Sequence, residues 1–173
     1  VFHALTGKFL SSTNLLNIIY HGSVLGVVAI GESICLLTGK FDLSVGSIVA
    51  LIGSIAAWLM VTDQPGASGL GLHPVLAVLA ILAVGIGLGF FNGFFVGKIG
   101  MNPMLTTLST MFVFRGLALV VTSGQTLYGL PTLYCVWGRG KLGPIPIAII
   151  IMLLLYLLFY FILKNKKIGR HIY

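Results

Sequence analysis

Residues Val75-Leu-Ala-Val-Leu-Ala-Ile-Leu-Ala-Val-Gly-Ile-Gly-Leu-Gly-Phe-Phe-Asn-Gly-Phe-Phe-Val-Gly97 hold a single polar side chain, Asn92, and no charge. Written as an α-helix at 1.5 Å per residue, the stretch is about 34 Å long. That exceeds the roughly 30 Å hydrocarbon core of a bilayer. Four further stretches come close to or reach the same length, so the sequence predicts spans at approximately Asn17–Thr38, Leu43–Thr62, Val75–Gly97, Met104–Ser123 and Ile145–Leu163. A closed β-barrel is the other way to satisfy backbone polar groups in lipid. These runs are too long for barrel strands and lack their alternation. The fold class expected is all-α, a polytopic helical membrane bundle forming one transmembrane domain over residues 1–173.

Composition agrees with this reading. Of 173 residues, 58% are hydrophobic and only 8% charged, against about 25% charged in soluble domains. Disorder, collagen, coiled coil and a soluble enzyme are excluded by the same figures. Ten Lys and Arg against three acidic residues (Glu32, Asp42, Asp63) give a net charge of +7. Because the basic residues flank apolar segments, the partner they imply is anionic membrane lipid, at about 1 kcal/mol per surface cation, and not nucleic acid. Val1 is not an initiator Met, and Gly169 to Tyr173 stop in a basic loop, so the chain is expected to be part of a longer protein.

Turn chemistry separates the spans. Gly and Pro crowd Gln64–Pro74, Asn102-Pro103 precedes the fourth span, and Gly143-Pro144-Ile145-Pro146 opens the fifth. The longest connection, Gly124–Gly143, is expected to fold back on the membrane surface. Orientation follows from the cation count on each side. With Lys164, Lys166, Lys167 and Arg170 cytoplasmic, Lys40 and Lys98 join them, leaving Lys8, Arg139 and Lys141 outside; six against three favours a cytoplasmic C-terminus.

Gly85, Gly89, Gly93 and Gly97 recur every four residues, with Gly87 interrupting the pattern. Small residues at that spacing let a neighbouring backbone approach, so a helix–helix packing seam is expected. Gly85-Ile-Gly87-Leu-Gly89 follows no strand and opens no helix, which rules out a dinucleotide loop. No phosphate loop is present, because Gly7-Lys8, Gly39-Lys40 and Gly140-Lys141 lack the upstream glycine and the following hydroxyl. Neither catalytic residues nor a metal motif can be assembled, and Cys35 and Cys135 frame no disulfide scaffold. Polar groups within the spans are few. Thr106, Thr107, Ser109, Thr110 and Arg115 gather in the fourth, Asn92 lies in the third, and His21, Glu32 and Ser33 lie in the first. Hydroxyls in membrane helices commonly bond their own backbone. An intramembrane charge faces a bundle interior or a water-filled cavity, which makes the fourth span the candidate for lining a path.

Four segments together resemble the permease subunits of ribose/xylose-type ABC importers. They are Thr38-Gly-Lys-Phe-Asp42-Leu-Ser44-Val-Gly46-Ser47; Asn92-Gly93-Phe-Phe-Val; Asn102-Pro103-Met-Leu-Thr106-Thr107-Leu-Ser-Thr110-Met with Arg115-Gly116-Leu-Ala; and Ile168-Gly169-Arg170-His-Ile-Tyr173. The resemblance covers nearly the whole chain. It implies a pore-forming subunit of a bacterial cytoplasmic (inner) membrane that pairs with a second permease subunit. It further implies docking on cytoplasmic ATPase subunits and delivery of sugar by an extracytoplasmic sugar-binding protein. No cofactor is then expected in this chain, ATP being held by the partner.

On the same resemblance, Asp42, Ser44 and Ser47 match the signature, where capping of the following helix is favoured over sugar contact. Asn92, Thr107, Thr110 and Arg115 match the motifs of the third and fourth spans and are candidates for the translocation path. Glu32 departs from the family pattern, which usually has an uncharged residue there. The family also has a helix before the position of Val1 and a block of helices beyond Tyr173. Two other functions fit the composition: an ion-coupled secondary transporter or channel, for which Glu32 is the one in-span acid, and a structural membrane subunit without a path.

Overall fold

The computed structural model describes residues 10–62 and 69–165. Lys8, Asp63, Lys166, Lys167, Arg170 and the Ile168–Tyr173 motif lie outside the described residues, so four of the nine cations that set the orientation do too. Among the described residues the chain is all-α apart from one two-residue hairpin. The elements are α1 (Ser12–Leu37), α2 (Val45–Met60), α3 (Pro74–Gly97), α4 (Pro103–Thr122), α5 (Thr132–Arg139), β1 (Lys141–Leu142), β2 (Ile145–Pro146) and α6 (Ile147–Asn165). Helices α1, α3, α4 and α6 are long and apolar enough to cross a membrane, and α2 is a shorter apolar helix.

Local chemistry explains where the helices differ from the hydropathy boundaries. Helix α1 begins five residues before Asn17, because Ser11 caps it by accepting the Asn14 N–H at 3.3 Å. The polar Ser-Thr-Asn run lowers hydropathy while favouring a helix start. Helix α3 starts at Pro74, with no N–H to leave unpaired, and His73 accepts from the Val75 N–H. Helix α4 is capped by Asn102, whose Oδ1 accepts from the N–H groups of Met104 (3.0 Å) and Leu105 (3.3 Å). It ends where Ser123 turns left-handed at φ +52°. Helix α6 begins at Ile147, two residues later than Ile145, because Ile145-Pro146 pairs antiparallel with Lys141-Leu142. The connection Gly124–Gly143 is thus partly ordered as α5 and the first strand.

Helix α2 has only 16 residues, about 24 Å at the helical rise. It is trimmed at both ends by polar competition for its termini. At its C-terminal end the returning chain takes two of the last carbonyls, Leu70 N–H donating to Trp58 O (3.2 Å) and Leu72 N–H to Leu59 O (2.7 Å). At its N-terminal end Asp42 and Ser44 form a turn that belongs to the candidate site.

The chain divides into two compact units, one of residues up to Thr38 with those from Cys135 onward, the other Gly39–Tyr134. In the first, α1 packs on α6, and Gly26 makes room for Met152: a Cβ at Gly26 would collide with its sulfur. No residue of α6 is buried in this unit. In the second, α2 packs against α3 and α4. Ala56, Leu59, Met60 and Ala77 form one buried cluster, and Leu51, Phe114 and Ala118 another. The outward faces stay apolar, with Ile86 73% and Phe90 72% exposed. Such faces suit lipid, where helix association rests on close packing and polar contacts.

Candidate functional site

The signature segment builds a polar knot at the start of α2. Ser44 occupies the N-cap position, yet its side chain caps nothing. Its N–H and its hydroxyl both donate to Asp42 Oδ1, at 2.8 and 2.6 Å. The capping expected of Ser44 therefore fails: its hydroxyl donates to Asp42, and its oxygen accepts from Asn92 Nδ2 in place of a helix N–H. Asp42 accepts from the N–H of the N-cap residue and so fixes the turn immediately before the helix. Ser47 points its hydroxyl back to Ser44 O at 2.7 Å and closes the first helical turn.

Asn92 of α3 completes the knot. Its Nδ2 donates to Ser44 Oγ at 2.7 Å, across 48 positions of sequence. Ser44 is fully buried and Asn92 is 5% exposed, so the chain Asn92 → Ser44 → Asp42 runs through the interior of this unit. Helix α4 adds Thr107, whose hydroxyl donates to Pro103 O (2.8 Å) and reaches Phe41 O in the same turn at 3.4 Å. Thr110 donates to Thr107 O at 3.2 Å, and Thr106 to Asn102 O at 2.9 Å. All three threonines are buried, their polar demand met mainly by their own helix.

The path candidates thus separate. Asn92, Thr107 and Thr110 are buried and bonded inside the unit, whereas Arg115 is exposed, one turn from Phe112 and Leu119 on the outer side of α4. Sequence spacing could place each residue on its helix. It carried no signal that Asn92 and Ser44, on different spans, would meet.

The glycine stripe is likewise divided. At Gly85 an added Cβ would press on Ile52 of α2 at 3.0 Å, while at Gly89, Gly93 and Gly97 it would meet nothing within 4 Å. Within this unit the seam exists at Gly85 and the expectation fails at the other three. The reason is geometric: a four-residue step advances about 40° around a helix of 3.6 residues per turn. The stripe therefore winds away from the line that carries Ala77 and Asn92 toward α2. Among the described residues no cluster of His, Cys, Asp and Glu is placed to hold a metal ion.

The model of the permease component of branched-chain amino acid transport systems matches residues 14–173. The chain belongs to this family. The ribose import permease protein of Bacillus subtilis is 37% identical over 171 residues, covering 98% of this chain and 51% of that relative. The D-allose transport system permease protein of Escherichia coli is 32% identical over 166 residues, covering 95% and 48%. The ribose import permease protein of Haemophilus influenzae is 34% identical over 169 residues, covering 95% and 50%. The chain spans about half the length of the curated relatives it matches, and no solved structure matches it. The resemblance to ribose-type importer permeases is thereby established, and the permease is a multi-pass membrane protein.

Proposed function

We propose that the complete protein is the membrane-spanning subunit of an ATP-driven importer that moves a sugar, ribose or a related carbohydrate, across the bacterial cytoplasmic membrane. The observation that carries this is the 37% identity with a ribose import permease along 98% of the chain. The D-allose permease supports the wider sugar class. In this reading the chain is not an enzyme and holds no cofactor. ATP is hydrolysed on separate cytoplasmic ATPase subunits, a second permease subunit completes the path, and an extracytoplasmic binding protein delivers the sugar. Arg115, exposed on α4 in its unit, is the residue best placed to serve the path, while Asp42, Ser44, Asn92 and Thr107 tie the turn before α2 to α3 and α4, and Ser47 and Thr110 bond within their own helices.

The family description favours a second substrate, a branched-chain amino acid. One experiment separates the two. The full-length gene, expressed with its own ATPase and binding protein in a strain lacking ribose and leucine importers, is assayed for labelled ribose and labelled leucine. Ribose uptake supports the proposal. Leucine uptake alone would transfer the function to the second reading.

A further inference from the structure

Helix α2 begins well inside the ends of its neighbours. The turn before it is held to α3 at Asn92, five residues before the last residue of that helix, Gly97. It meets α4 at Thr107, four residues after the first, Pro103. At 1.5 Å per residue these offsets are about 7.5 and 6 Å. Two helices of the unit independently give the same recess, and the short length of α2 agrees with it. Non-helical backbone at membrane depth survives only where protein or water satisfies it. Here Asp42 takes the Ser44 N–H, and Thr107 reaches Phe41 O.

Asn92 is not present for hydrogen-bond economy. Its Oδ1 is buried with no partner among the described residues, a cost that an apolar side chain of similar size would avoid. Its one bond goes to Ser44 Oγ, the hydroxyl that itself donates to Asp42. Donation into a hydroxyl strengthens that hydroxyl as a donor, so Asn92 acts on the Asp42 carboxylate through Ser44.

We propose that Asn92 is a positioning residue: through Ser44 it orients Asp42 and holds the turn Gly39–Ser44 recessed within the membrane, about one and a quarter helical turns below the adjoining ends of α3 and α4. The recess creates a polar floor at depth from which α2 rises, in place of a turn lying at the lipid headgroups. The inference rests on the chain spanning a bilayer and needs no particular substrate.

The test is a depth measurement on the full-length permease in phosphatidylethanolamine/phosphatidylglycerol liposomes, with native cysteines changed to Ser. A nitroxide is attached at Phe41→Cys or at Ile99→Cys, both positions exposed and the second just beyond α3. Collision with oxygen and with a nickel chelate reads the depth of each. The label at Phe41 is expected about 7 Å deeper than that at Ile99. Asn92→Leu and Ser44→Ala should each bring it toward the Ile99 depth, the pair together no further, and Ser44→Thr should keep it at the original depth. Equal depths in the otherwise unsubstituted chain would overturn the recess without any network variant having to fold. An unchanged Phe41 depth in Asn92→Leu would overturn the positioning role. Because the readout involves no sugar, its failure leaves the import proposal standing, and failed import with an intact recess counts against that proposal alone.

Discussion

Arg115 lies twelve residues into α4, about 18 Å from its first residue, on a helix whose outer face carries Phe112, Leu119 and Val120. A guanidinium left in hydrocarbon at that depth costs at least about 2.5 kcal/mol on insertion scales. In the assembled protein it therefore meets water or an anionic partner. We expect Arg115→Ala to insert at normal yield in the complete permease yet reduce sugar uptake to background, while Glu32→Gln keeps most of it. Equal damage from both, with uptake restored on exchanging the two charges, would make them a structural pair and remove Arg115 from the path. Arg115 was legible in the sequence because a charge inside an apolar run has few explanations. The Asn92–Ser44 bond was not, since each residue alone reads as an ordinary polar side chain and only tertiary packing joins them. Ser44 differs from expectation in one respect: its place before a helix suggests a cap, but its oxygen accepts from Asn92 Nδ2 on another span instead of from a helix N–H.

Among the elements, the long helices were readable from hydropathy because length is the constraint the bilayer imposes. Their ends were less so, since the Ser11 cap acts through a single hydrogen bond and the prolines at 144 and 146 through a missing N–H and a fixed φ, which a hydropathy window averages away. The stripe on α3 shows the same limit. Periodicity of four says that small residues share a side, not which part of that side is covered. Filling the covered position should therefore hurt and filling an open one should not. Gly85→Leu drives a side chain into Ile52, and overpacking of that kind costs typically about 1–3 kcal/mol. We expect a lowered Tm in detergent for Gly85→Leu, and for Gly93→Leu a change within about 0.5 kcal/mol, as at ordinary surface sites. A comparable loss at Gly93 in the full-length protein would reveal another helix seated on the rest of the stripe.

At the scale of the whole molecule, the orientation rests on a cation imbalance, and the two native cysteines test it. Cys35 lies near the C-terminal end of α1 and Cys135 within α5. A membrane-impermeant maleimide added to intact cells should label Cys135 and spare Cys35. Labelling of Cys135 only after the membrane is opened would invert the topology. The permease class was legible because four ordered motifs run along nearly the whole chain, and the family match over residues 14–173 bears that out. The proposed substrate rests on relatives alone, since most described polar side chains in the spans bond the backbone of their own helix. The central claim, a permease driven by ATP on another subunit, is tested most directly by reconstitution. Full-length permease, its ATPase and its binding protein are placed in proteoliposomes, and accumulation of labelled ribose is followed. The account predicts accumulation that requires ATP and the ATPase and persists when ion gradients are collapsed. Accumulation driven by an ion gradient in liposomes holding the permease alone would contradict it.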